Sequence, residues 1–348
     1  MSTTAFPLPS SARVLRARPR AAVARLGEGT VARVTRLAQV ILGLIWLIDG
    51  ALQFQPYMFG KTFITGVIDP NAVGQPAIIA EPITWIANLV APHVTVFNAF
   101  AATLQVAIGL GLLYRRTVKP ALVASFVWAL GIWFTGEGLG MILTGNASPL
   151  TGWPGAALLY VIAGLMCWPR MGKNAAVATP MRRFGLLGER GARRAWAALW
   201  LGSAALWLLP ANDGAGSVHD AIAAVPSGAG WLTSLLNGAA SAASGHGTEI
   251  AVVMSVLSAI VGIGVLRGRS TRPFLALGIG ISLVYWVFGQ GLGGVFTGQA
   301  TDVNAAPLVI LIGMMLFWLT PEGERKVARS RETASAARAR AAGLPGAA

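Results

Sequence analysis

The chain has 348 residues, 55% of them hydrophobic and 11% charged, with a mean hydropathy of +0.63. Soluble domains carry roughly 25% charged residues, so this composition excludes an ordinary soluble globule and points to lipid. The formal net charge of +14 does not argue for nucleic acid, because nearly every Lys and Arg flanks an apolar run, where anionic headgroups and insertion topology explain it.

Residues 1–35 form a basic N-terminal segment, expected to lie in the cytoplasm. The apolar run that follows, LAQVILGLIWLIDGALQFQ, is longer than the core of a secretory leader, contains Asp49 and lacks an A-x-A cleavage site, so it reads as a retained anchor. In all, apolar runs at 37–55, 95–114, 120–137, 154–168, 195–209, 248–266, 273–289 and 307–320 predict eight transmembrane helices, since roughly 20 residues cross about 30 Å of hydrocarbon. Alternating strand patterns are absent, so the fold class is all-α. The fourth, fifth and eighth runs are short; they borrow flanking residues or cross thinned bilayer.

Direction follows from the cations. Of the 27 Lys and Arg residues, only Lys61 falls outside the segments assigned to the first side of the membrane. That asymmetry agrees with an even number of crossings and puts both termini in the cytoplasm. A bacterial cytoplasmic membrane is the expected location, and the Ala-, Arg- and Gly-heavy usage suits a GC-rich genome. The 170–194 segment is then a basic cytoplasmic linker, and 322–348 a cytoplasmic tail expected to be disordered.

The phrase WFTGEGLGMILTG at 133–145 returns as WVFGQGLGGVFTG at 286–298. A shift of 153 also aligns Gly109 with Gly262, Gly111 with Gly264, Arg116 with Arg269, Pro120 with Pro273, His93 with His246, and Pro154 with Pro307. Two four-helix membrane repeats, 36–169 and 195–321, are therefore expected. Four spans return the chain to its starting side, so the repeats would be parallel, related by a pseudo-twofold axis along the membrane normal. Close helix packing accounts for the paired glycines within spans, and helix termination for those of the GxGLG phrase. Neither explains Glu137.

The conspicuous polar groups gather towards the outer ends of the spans. Asp49 lies 13 residues past Arg36, and Gln53 shares its helix face. His93 opens the second span, Glu137 closes the third, His246 and Glu249 open the sixth, and Gln290 closes the seventh. An ionisable group inside a span usually faces a partner or a cavity. The two histidines are either interfacial side chains or a shared ligand or proton-transfer pair, which leaves haem open as a cofactor. Glu249 is placed to hold the ring of His246. Because the second unit has Ser203 or a neighbour opposite Asp49, and Gln290 opposite Glu137, a proton-handling site would belong to the first unit. Segments PITWIANLVAP and GWLTSLLNGAA are expected as short interfacial helices.

Cys167 is the only cysteine, so an intrachain disulfide and CxxC and CxxCH chemistry are excluded; it reads as a small buried hydrophobe. No nucleotide-binding loop, HExxH helix or GxSxG elbow is present, no metal site is expected, and no self-contained catalytic activity is indicated.

The segments RLAQVILGLIWLIDGALQF and LQVAIGLGLLYRRTVKPALVASFVWAL resemble the first, second and third helices of the DoxX/DoxD-like family of four-helix membrane proteins. Some members are small subunits associated with quinone-linked sulfur oxidation, so the resemblance implies an accessory or quinone-linked redox subunit. This chain differs in holding two fused units, and its GEGLG and GQGLG phrases are not part of the resemblance. Two other readings stand beside it. The intramembrane acids suggest a small-solute or proton-coupled carrier, and a structural or assembly role would require a membrane protein partner.

Overall fold

The computed structural model describes residues 11–169, 183–268 and 270–320, with side chains from Gly29 onward in those ranges. The expected tail, and residues 170–182 of the expected linker, lie outside them. Among the described residues every regular element is helical. In chain order these are α1 (Ser11–Leu52), α2 (Lys61–Phe63), α3 (Ala77–Val90), α4 (Val94–Leu113), α5 (Val118–Thr135), α6 (Ala156–Met166) and α7 (Gly188–Leu206). They continue as α8 (Pro210–Asp213), α9 (Ser217–Ala223), α10 (Gly230–Ala243), α11 (Gly247–Leu266), α12 (Thr271–Phe288) and α13 (Ala305–Leu319). Short 3-10 and π turns link several of them.

Five helical stretches are long and apolar enough to cross a membrane: Gly29–Leu52, Ala77–Leu113, Val118–Thr144, Gly247–Leu266 and Thr271–Phe288. The chain is thus a multi-pass helical membrane protein by length and composition. Its outer surfaces agree, because Leu44, Ile48, Phe100, Val127, Val256 and Val284 are exposed along α1, α4, α5, α11 and α12. A soluble protein would not leave such a belt in water. Three of the eight expected spans fall short of that standard. The apolar helices α6 and α13 have only 11 and 15 residues. The third, α7, opens on Glu189, Arg190, Arg193 and Arg194, which leaves only 195–206 apolar. Enclosure explains α13, which packs against α12, α6, α1 and α7 and is buried on most of its surface. A helix wrapped in protein can be apolar all round without spanning lipid alone.

Close approach of backbones sets the helix pairs. A Cβ on Gly43 of α1 would stand 2.9 Å from the carbonyl oxygen of Gly109 on α4, so glycine is required at that crossing. At the basic end of the same pair, Arg36 donates to the carbonyl oxygens of Leu112, at 2.9 Å, and Leu113. These are terminal carbonyls of α4 that have no partner within the helix. Cys167 is buried at 1% exposure.

Element bounds recur at a fixed offset. Shifting α3, α4 and α5 by 153 residues reproduces both ends of α10, α11 and α12. The glycine phrases form the same left-handed turn: φ is +51, +57, +69 and +58° over Gly138–Met141, and +52, +56, +75 and +64° over Gly291–Gly294. At Gly140 a side chain would be strained by its φ and is excluded by Pro154, whose carbonyl oxygen would lie 2.6 Å from a Cβ. The gapless register does not extend to Pro154 and Pro307. The indole of Trp133 donates to Pro154 O at 2.8 Å, and that of Trp286 donates to Val303 O at 3.0 Å. From there the offset is 149, matching the starts of α6 and α13, so four residues are missing from the second loop.

These two loops cross between the halves. Asn212 donates to Ala147 O at 2.9 Å, while Gln53 and Gln55 donate to Thr301 O and Ala300 O at 2.9 and 3.1 Å. Each half thus carries a loop of the other among its own helix ends.

Candidate functional site

Near the C-terminal end of α1, the first half holds a partly open cavity of about 250 Å³. Its walls come from α1, α3, α4, α5 and α6, from the turn at 63–68, and from Thr301 and Asp302 of the second half's loop. Trp46, Phe63, Phe97 and Trp128 make the apolar walls; Asp49, Gln53, Asn98, Gln105, Glu137, Tyr160 and Asp302 supply polar atoms.

Each carboxyl is fixed by donors from another part of the fold. Asp49, 2% exposed, accepts from the Tyr160 hydroxyl of α6 and, at 3.2 Å, from the amide of Val303. Tyr160 is itself held by stacking on Trp46, with centroids 4.1 Å apart, and the Trp46 indole donates to Ser125 at 3.0 Å. Glu137 follows directly on α5 because Gly136 closes that helix, and the left-handed turn then carries the chain away. Its carboxyl accepts from the Ala157 amide at 3.1 and 3.3 Å, satisfying an otherwise orphan donor at the start of α6. Asn71 and Gln75 strap the turn by donating to Gly136 O and Gly138 O at 2.9 and 2.8 Å. Asp302 accepts from Thr301 Oγ1 at 2.8 Å and from the Asn304 amide at 2.6 Å. Enclosure raises the Asp302 carboxyl above the usual carboxylate range, and those two hydrogen bonds oppose the shift.

A second cavity, of about 230 Å³ and lined by Asn146, Ser148, Thr151 and Asn304, lies between the loops and shares Glu137, Ala156 and Asp302 with the first. Two carboxyls therefore stand at the partition between an aromatic chamber and a polar one. No Lys, Arg or His lines either. Among the described residues no three His, Cys, Asp or Glu side chains are grouped as metal ligands would be.

Among the described residues the second half has only a much smaller counterpart of this space. The corresponding pocket, lined by Trp200, Ser203, Tyr285, Gln290 and Val309, measures about 20 Å³. Gly109 faces Leu47 and the Gly43 carbonyl, and Gly262 faces Leu201 and the Ala197 carbonyl, so α1 and α7 correspond at an offset of 154. Asp49 then matches Ser203, and Gln53 matches Trp207. The Trp207 indole donates to the Tyr285 hydroxyl at 2.8 Å, and that pair fills the core. Trp153, the match of Asp302 at offset 149, plugs the remainder against Gly202.

Of the residues singled out from sequence, the structure brings Asp49, Gln53 and Glu137 together in the large cavity, and sets Gln290 in the small one. His93, His246 and Glu249 are exposed and line neither. The two histidines do occupy equivalent places, as the residues preceding α4 and α11. Sequence reasoning missed Asn98, Gln105, Tyr160 and Asp302. Asn98 and Gln105 were detectable, being polar side chains seven residues apart in an apolar span, hence on one helix face. Asp302 gave no such signal, because it reaches the site from a loop of the other half.

No protein-family model matches this chain, and no curated protein or solved structure does.

Proposed function

We propose that this chain is a small-solute carrier of a bacterial cytoplasmic membrane, built as a tandem pair of parallel four-helix units with eight spans and both termini in the cytoplasm. The first unit binds the solute; the second is a filled scaffold that lends Asp302. The observation carrying this reading is the pair of chambers divided by Glu137 and Asp302 in one half, against a nearly closed space in the other. An internal site lined with acids, joined to a polar chamber at the helix ends, suits a solute path with linked proton movement.

The duplication is supported by the matching bounds of three helices, the repeated left-handed turn and the paired indole bonds of Trp133 and Trp286. Counting α6, α7 and α13 as crossings rests on the one-sided distribution of cations, which an odd span number would break.

The test is flux into proteoliposomes under an imposed pH gradient. A solute whose uptake dissipates the gradient supports a carrier, provided Asp49→Asn abolishes the coupling. Uptake that is unchanged in Asp49→Asn and Glu137→Gln argues against it.

A second reading, a DoxX-like quinone-linked accessory subunit, draws on the resemblance of the first three helices. It is favoured by one observation, the aromatic walls of the cavity, which suit a quinol ring. Recovery of a quinone with protein purified in mild detergent, and its loss on narrowing the cavity by Gly131→Phe, would select this reading.

A further inference from the structure

We infer that the cavity of the first half takes a small organic cation, a protonated amine on an aromatic or apolar body. The inference rests on the small-solute reading above and names its substrate class.

Charge is the first argument. Asp49, Glu137 and Asp302 face a chamber whose lining includes no basic side chain, and the protein groups bonded to them are neutral. Enclosed carboxylates without a compensating cation are costly, so a cation entering among them recovers a large part of that cost. An anion would add to it.

Unpaired acceptors are the second. Asn98 and Gln105 line the same chamber at 0% and 4% exposure, and Asn98 Oδ1 and Gln105 Oε1 have no hydrogen-bond partner. Buried acceptors call for donors, and an ammonium group offers up to three N–H bonds. A ketone, ether or carboxylate offers none. Trp128 Nε1, also unpartnered, accommodates one acceptor on the ligand body, such as a hydroxyl oxygen.

The walls and the size fit the remainder of the molecule. The rings of Trp46, Phe97 and Trp128 are suited to cation–π contact. The volume equals that of about eight waters at roughly 30 Å³ each, enough for a single-ring amine.

The second half supplies an internal control. Where the first half's cavity is lined by Asp49, Glu137 and Asp302, the second half's pocket has Ser203, Gln290 and Trp153, and there the space shrinks to about 20 Å³. All three acids are found where the chamber is open and none where it is filled, which ties their charge to a ligand, beyond the structural hydrogen bonds their oxygens accept.

The experiment uses the full chain in nanodiscs of zwitterionic lipid at pH 7, with thermal stability and tryptophan fluorescence as readouts. The probes are 2-phenylethylammonium, its neutral isostere 2-phenylethanol, and phenylacetate. The amine is expected to bind about tenfold or more tighter than either isostere. Glu137→Gln and Asp49→Asn should each weaken the amine by at least about tenfold while changing the alcohol by less than about twofold. Glu137→Gln keeps the test sound if Asp49→Asn misfolds, since Gln290 already fills the equivalent structural place. Equal binding of alcohol and amine, or amine binding untouched by both variants, overturns the inference. Binding of the alcohol alone overturns the cation while leaving the cavity reading standing. Failure of all three probes, in wild type and Gly131→Phe alike, removes support from both.

Discussion

The side-chain oxygen of Gln290 accepts a hydrogen bond from the amide of Ala306 at 3.1 Å, the same bond, at the same length, that Glu137 makes to Ala157. One position closes the start of α13 and the other the start of α6, so the structural task needs an acceptor and not a charge. Glu137→Gln is accordingly expected to keep the fold, with a melting temperature within about 2 °C of wild type, since the acceptor that closes α6 is retained. Glu137→Ala, which leaves the amide unpaired, should cost about 1–2 kcal/mol. Thermal unfolding in detergent compares the two. If Gln destabilises as much as Ala, the ionised form of Glu137 has a structural role that the Gln290 comparison does not account for.

The glycines of the first half separate into those that shape the turn and those that leave room. Gly140, at φ +69° and 2.6 Å from Pro154 O by its ideal Cβ, has a dihedral that strains a side chain and no space for one. Gly131, within α5, has no atom within 4 Å of that position, although it lines the cavity. Gly140→Ala should therefore cost roughly 2–4 kcal/mol from strain and displacement together. Gly131→Ala should be neutral or stabilising by up to about 1 kcal/mol. A melting temperature lowered equally by both changes would contradict this division.

The turn and the helices were open to sequence reasoning because their causes are local: apolar length, a basic flank, glycine at positions of positive φ. Asp49 and Glu137 were found for a related reason, since a charge in an apolar run is rare enough to stand out. The site as a whole was not legible, because its other members are defined by what faces them. Tyr160 is one aromatic among many until it reaches Asp49, and Asp302 sits in an ordinary-looking loop until Val303 and Asp49 draw it into the other half. The histidines mark the opposite case, where an exact sequence correspondence recorded equivalent helix starts and no shared chemistry. The short lengths of α6 and α13 were visible in the sequence, whereas their packing against neighbouring helices was not.

Asp302 makes a pH-dependent contribution whose sign is fixed by its raised carboxyl. The folded protein holds that proton to higher pH than the unfolded chain, whose ordinary value is 3.8. The stability associated with it is complete below that value and declines as pH rises through the folded one. Asp302→Asn, which keeps an acceptor for the Asn304 amide, does not undergo this loss. The melting temperature of the variant minus that of wild type should thus grow from about pH 4 upward and then level off. Asp49 and Glu137 face the same cavity, so the difference reports Asp302 together with its electrostatic effect on those two carboxyls. A difference that stays constant, or shrinks with rising pH, would reverse the assignment.

Two tryptophans, one in each half, test whether the chamber is open by construction. Trp207 is 2% exposed and bonded to Tyr285, and it occupies the position equivalent to Gln53, so it fills in the second half what is left free in the first. Trp128 lines the chamber, is only partly buried, and leaves its indole nitrogen unpaired. Truncating a packed tryptophan removes its contacts and leaves a cavity, a cost of about 3–5 kcal/mol, whereas truncating one that already borders a cavity loses fewer contacts. Trp207→Ala should therefore destabilise by about 3–5 kcal/mol, and Trp128→Ala by less than half as much, with the second variant also losing affinity for any aromatic ligand. Unfolding midpoints of the two variants measured side by side decide the matter: equal losses would mean that the wall around Trp128 is as tightly packed as the core around Trp207, and that the chamber is not held open in the protein.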